Sequence, residues 1–114
     1  MKSFDIGYDN DKVRIHPRMA SVAEVEDYQQ QINDVADGDL EKYQKYFDIC
    51  KAAIDDFSAK PAEKLVKEKG ELKAVALEGG ITASFEKRTP HAERIVRDAY
   101  QLIVRMMNPS TDFI

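Results

Sequence analysis

One cysteine, Cys50, stands in 114 residues. A lone thiol cannot close an intramolecular disulfide, which excludes the small secreted scaffolds held together by cystines and makes a reducing compartment the expectation. Long apolar runs are missing too. Nowhere do about 18 consecutive apolar residues occur, the length a bilayer span needs. The start, Met1-Lys2-Ser3-Phe4-Asp5-Ile6, lacks the apolar stretch of roughly 7 to 15 residues that marks a secretion signal. A cytoplasmic protein with no membrane partner is therefore expected. Histidine is scarce: His16 and His91 are the two, and neither stands at a zinc-motif spacing from another ligand. Gly79-Gly80 lacks the Lys and Ser/Thr of a phosphate loop and reads as a turn. No metal and no other cofactor is expected. Nor is there an excess of base: 17 basic against 21 acidic residues give a net charge of −4, which does not steer the chain toward nucleic acid or anionic lipid.

What is present is ordinary globular material. With 43% hydrophobic and 33% charged residues the chain has enough apolar side chains for a core and a heavily charged surface, so disorder is not expected. Its length is that of one domain, 1–114, and no repeat, linker or low-complexity tract divides it. Phe4, Ile6 and Tyr8 alternate with polar residues, Asp9 to Lys12 form a turn, and alternation resumes at Val13 and Ile15 until Pro17 ends it. This predicts a β-hairpin over 3–16. Ser21 and Glu24 make a capping box, followed by the stripe Val22, Val25, Tyr28, Ile32, Val35 of an amphipathic helix over about 22–36, closed by Asp37-Gly38-Asp39. A second helix over 40–57 carries Leu40, Tyr43, Phe47, Cys50, Ile54 and Phe57 on its stripe.

Pro61 suits the first turn of another helix, and the Ala, Leu, Lys and Glu that follow favour continuing it, so helix is predicted over 61–77. Gly70 leaves an alternative open, a strand with Val75 and Leu77 inward. Ile81, Ala83 and Phe85 alternate with Thr82 and Ser84, a strand signal that can extend the hairpin into a three-stranded sheet. Thr89-Pro90 opens the last helix, 90–107, with Ala92, Ile95, Val96, Ala99, Leu102, Ile103 and Met106 in the strongest apolar stripe of the chain. The fold class is thus α+β and helix-dominated: a small N-terminal hairpin packed with three to four amphipathic helices.

Chemistry is thinly written. Cys50 lies in an apolar stripe, where a thiol behaves as a small hydrophobe, and the carboxylates sit at spacings of a solvated helix face. Charge is uneven, however. Residues 21–58 hold ten acids and three bases, whereas 86–107 hold five bases and three acids. Arg94 and Arg97 of the basic helix could contact phosphates, but the acidic helical pair argues against nucleic acid. The alternative is that the basic helix and the acidic helical pair face each other within one fold or across a dimer, and Arg94 and Arg97 are candidate partner-binding residues. Tyr43 and Tyr46 border the acidic pair and have the apolar area and hydroxyl that suit an interface. Phe113 and Ile114, beyond the helix stop at Asn108-Pro109, offer a docking point.

The hairpin Phe4-Asp5-Ile6-Gly7 through Val13-Arg14-Ile15-His16-Pro17, the helix-rich middle, and the final helix from Thr89-Pro90 to Met106-Met107-Asn108-Pro109 together resemble the tail assembly chaperones of long-tailed bacteriophages. The likeness is one of pattern and size over most of the chain, and the double Gly of 79–85 has no counterpart in it. It implies a non-enzymatic protein of the host cytoplasm that binds a tail component such as the tape-measure protein, self-associates, and is often also made in a longer, frameshifted form, with the junction here at Asn108 to Ile114. The alternative is a stand-alone interaction or inhibitor module acting on a host protein, and a small enzyme comes third.

Overall fold

The computed structural model describes residues 2–8, 11–35 and 40–107. The elements are β1 (Phe4–Tyr8), β2 (Asp11–Ile15), α1 (Val22–Asn33), α2 (Leu40–Asp56), β3 (Glu63–Glu68), β4 (Glu71–Ala76), α3 (Gly80–Ser84) and α4 (Pro90–Met107). The strands form one antiparallel sheet in the order β1-β2-β3-β4. This is the helix-dominated α+β class that the sequence indicates.

The N-terminal hairpin forms as its alternation requires. Phe4 lies opposite Ile15 and Ile6 opposite Val13, so one parity collects every large apolar residue of the pair. Val13 and Ile15 are buried, and Phe4 and Ile6 pack against the same core. The capping box is also real: Ser21 Oγ accepts from the Glu24 N–H at 3.2 Å, and a Glu24 carboxylate oxygen accepts from the Ser21 N–H at 2.7 Å. That backbone bond, ahead of the nearby Arg18, holds the Glu24 carboxyl below its ordinary range.

Helices α2 and α4 supply most of the interior. Phe47, Cys50, Ala53 and Ile54 of the first meet Ala92, Ile95, Val96, Ala99, Tyr100 and Ile103 of the second. Each fully buried Ile or Phe is worth about 1.5 to 3 kcal/mol relative to exposure, which makes this helix pair the main source of stability. Tyr28 of α1 adds an edge-to-face contact with Phe57 at 5.2 Å and 84° and donates its hydroxyl to Asp56 at 3.0 Å. Burial, then Asp56, push its phenol up to about 12. Lys51 is buried without being stranded: its ammonium donates to the Phe85 carbonyl at 2.9 Å, lies 3.2 Å from Asp48 and stands 4.5 Å from the Phe47 ring centroid.

Two expectations are corrected. The segment expected as helix over 61–77 is a β-hairpin, because Lys69 and Gly70 both take positive φ, 53° and 82°. Two successive left-handed residues make the two-residue loop whose twist matches paired strands, and cross-strand pairing then overrides the helix preference of the flanking Ala, Leu, Lys and Glu. Val75 does not point into a core in this hairpin; it is 45% exposed. The third strand of the sheet is accordingly β3. Residues 81–85 do not supply it, since Gly80–Ser84 is the short helix α3. Asp55 fixes that turn by accepting the N–H groups of Ile81 and Thr82 at 2.8 and 2.9 Å. A side chain at Gly80 would place Cβ 2.5 Å from the Asp55 carboxylate, at a φ of 73° that favours glycine.

Smaller corrections concern stripe edges. Val22, Tyr43 and Leu102 share helical faces with core residues but are exposed, while their neighbours Val25, Phe47 and Ile103 are buried. The stop at Asp37-Gly38-Asp39 lies outside the described residues.

Candidate interaction surface

The residues singled out from sequence do not converge on one spot. Tyr43, on α2, is 52% exposed, and the Arg88 guanidinium lies 5.6 Å from its ring centroid. Tyr46, one turn on, is half-buried and packs against the core. Burial raises the Tyr46 phenol, opposed by the nearby charge of Arg97. Tyr46 and Tyr100 line a cleft of about 390 Å³ with Gln29, Ile32, Asn33 and Gln101, between α1, α2 and α4. Arg94 and Arg97 are exposed along α4, Arg97 lying 3.5 Å from Asp98. Phe113 and Ile114 lie outside the described residues. Tyr43 therefore belongs to an aromatic and cationic surface pair, and Tyr46 belongs to the wall of the interior.

Cys50 is fully buried and free, and desolvation pushes its thiol up to about 11. Such a thiol is not a nucleophile at neutral pH. His91 pairs with Asp11 at 3.0 Å on the rim of a cleft of about 520 Å³ between the start of β2 and the 83–89 loop, floored by Phe85, Ala92 and Ile95. Ser3 Oγ lies 2.7 Å from His16 Nδ1, and His16 Nε2 pairs with Glu63. That chain of groups could not be read from sequence, because its members are 13 and 47 positions apart. It ties the start of β1 and the end of β2 to β3, across the sheet face away from the helices. Among the described residues no group of three or more His, Cys, Asp or Glu is arranged to hold a metal, and no helix is long and apolar enough to cross a membrane.

The feature that sequence reasoning missed is the β3–β4 arm. β2 pairs with β3 only from Lys12 opposite Leu65 to Arg14 opposite Glu63, whereas β3 and β4 stay paired out to Glu68 opposite Glu71. Beyond Leu65 the hairpin thus runs on without β2 beside it. β4 lies at the sheet edge and is exposed at all six positions, Leu72 at 57% and Val75 at 45%. Which groups it offers follows from the pairing. The Leu77 N–H donates to the Ala62 carbonyl at 2.9 Å, so 62 and 77 are a hydrogen-bonded pair. Such pairs alternate along an antiparallel ladder. Val75, Lys73 and Glu71 therefore direct their backbone groups to β3, and Leu72, Ala74 and Ala76 direct theirs to the open edge. Leu72, Ala74 and Ala76 also share one face, that of Leu65 and Glu63. Lys73 is neutralised within the arm by Glu68 at 3.5 Å.

Compared with family models, with curated proteins and with solved structures, the chain matches none.

Proposed function

We propose that the chain is a non-enzymatic assembly chaperone or scaffolding protein, one that works by binding a structural protein partner such as the tape-measure component of a phage tail. The single observation behind this reading is β4, a six-residue edge strand exposed on both faces that offers backbone donors and acceptors beside apolar side chains. Isolated edges of this kind are normally blunted by proline, bulges or several charges, because they invite another strand. Here the pairing with β3 is one-to-one throughout, no proline intervenes, and the charge within the strand interior is Lys73 alone. An edge left open in this way suits strand addition by a partner. The resemblance read from sequence points the same way, to a protein whose work is assembly.

The test is co-expression with a tape-measure protein of a long-tailed phage, followed by co-purification of wild type and of Ala74→Pro. Proline at 74 removes a donor aimed outward and leaves the ladder to β3 intact. Retention of the partner by wild type and its loss in the variant, with an unchanged circular dichroism spectrum, supports the reading. Equal retention by both removes β4 from it, and no retention by wild type contradicts the chaperone role.

A further inference from the structure

We infer that the occupant of the open edge is a second copy of this chain, whose β4 adds antiparallel to the first about a two-fold axis through Ala74, joining two four-stranded sheets into one of eight. The inference rests on the binding role given to β4 above: the edge is held by a second copy until the structural partner's strand displaces it.

The register of β4 favours a second copy. An antiparallel pair with continuous sheet faces must match positions of the same parity, and its hydrogen-bonded pairs must use residues whose backbone faces outward on both strands. On β4 those are Leu72, Ala74 and Ala76. With Ala74 opposite Ala74 of the second copy, Leu72 falls opposite Ala76 and Ala76 opposite Leu72. All three pairs are hydrogen-bonded pairs, giving about six backbone bonds. The apolar row Leu72, Ala74, Ala76 then continues across the axis, with the small Ala74 where the copies come closest. On the other face Lys73 falls opposite Val75, covering an exposed Val with the stem of a lysine whose ammonium is engaged by Glu68 of its own arm. No like charges stand directly opposite each other. Moving the axis one position, to Lys73, sets two lysines face to face, a destabilising pair. Moving it to Leu72 or to Val75 leaves three residues of β4 overlapped with the copy, and moving it to Glu71 or Ala76 leaves one. The strand is self-complementary in one register.

Cysteine cross-linking tests this directly. In the inferred register the two Ala74 Cα atoms are about 5.5 Å apart, inside the roughly 4.4 to 6.8 Å span of a disulfide. The two Lys73 Cα atoms are offset by two positions and lie beyond it. Under mild oxidant, Ala74→Cys should give a covalent dimer while Lys73→Cys and wild type, with its buried Cys50, should not. Light scattering should give twice the 13.0 kDa chain mass for wild type and the single mass for Ala74→Pro at equal concentration. Cross-linking of Lys73→Cys in place of Ala74→Cys would overturn the register. A wild type that scatters as a monomer and fails to cross-link at 74 would overturn the inference altogether. If Ala74→Pro still abolished co-purification of the tail partner in that case, the binding role of β4 would stand and its occupant would be the partner's own strand.

Discussion

Two regions of this molecule put their apolar residues to opposite uses. In the helical body, Phe47, Ile54, Ile95 and Ile103 are buried to 2% exposure or less, and a buried lysine has its charge fully answered. In the β3–β4 arm, Leu72, Val75, Ala74 and Ala76 stay in contact with solvent, and the arm holds its shape through backbone pairing and a two-residue turn. The body spends its hydrophobic residues on stability; β4 keeps its own available, while Leu65 of β3 is buried. A strand exposed on both faces contributes little to folding free energy, so its regular, proline-free pairing is better explained by what docks there.

The largest effects should fall in the body. Phe47→Ala should destabilise by about 3 to 5 kcal/mol and Ile103→Ala by about 2 to 5 kcal/mol in urea unfolding, as buried large-to-small changes do. Asp55→Ala should cost about 1 to 2 kcal/mol, since it leaves the Ile81 and Thr82 N–H groups without their acceptor. Ser21→Ala, which removes half of the capping box, should cost about 1 kcal/mol. Leu102→Ala, at a site 37% exposed, should fall well below Ile103→Ala one position away. Leu72→Ala, in the arm, should shift the unfolding midpoint of the dilute protein by no more than about 0.5 kcal/mol. A Leu72 variant as damaging as Ile103→Ala would erase the contrast between the two regions.

The pH dependence sharpens the same contrast. Burial raises the Cys50 thiol from about 9 to about 11 and the Tyr28 phenol from about 10 to about 12. For an acid whose folded value is raised, the neutral form stabilises the fold. That contribution is complete below the unfolded value and is lost as pH climbs through the folded one. Stability should hold up to about pH 9 and decline from there to about pH 12, and Cys50→Ala should flatten the lower part of the decline. Thermal unfolding between pH 7 and 11 reads this out. Glu24 works in the other sense: its lowered value gives stability present above the ordinary carboxylate range and lost as pH falls. Glu24→Gln should flatten the acid limb.

How much of this was legible in the sequence depends on whether the deciding forces were local. The hairpin Phe4–Ile15, the capping box of Ser21 and Glu24, and the helix opened by Thr89-Pro90 are set by residues within a few positions of one another, and all three stand in the structure. The arm was misread because its composition favours helix and the Lys69-Gly70 turn is short. The decisive fact is that Glu63 to Leu65 find Lys12 to Arg14 fifty positions earlier in the chain. Residues 81–85 alternate as a strand does, but five residues are too few to distinguish alternation from one turn of helix, and the arbiter is Asp55 on a different element. Periodicity located the apolar stripes without giving their width, so Tyr43 and Leu102 were placed one side chain too far inward. The candidate surface was the least legible feature. An edge strand is defined by what lies beside it, and no pattern within six residues records that.

The most direct test of the account is amide hydrogen exchange along β4 at several protein concentrations. Alternation should be visible in the dilute protein: Glu71, Lys73 and Val75 protected by their bonds to β3, and Leu72, Ala74 and Ala76 exchanging fast. As concentration rises, these last three amides should gain protection together while the core amides of α2 and α4 stay unchanged. If Leu72, Ala74 and Ala76 exchange at the same fast rate at every concentration, the edge is not where two copies meet and the central claim fails.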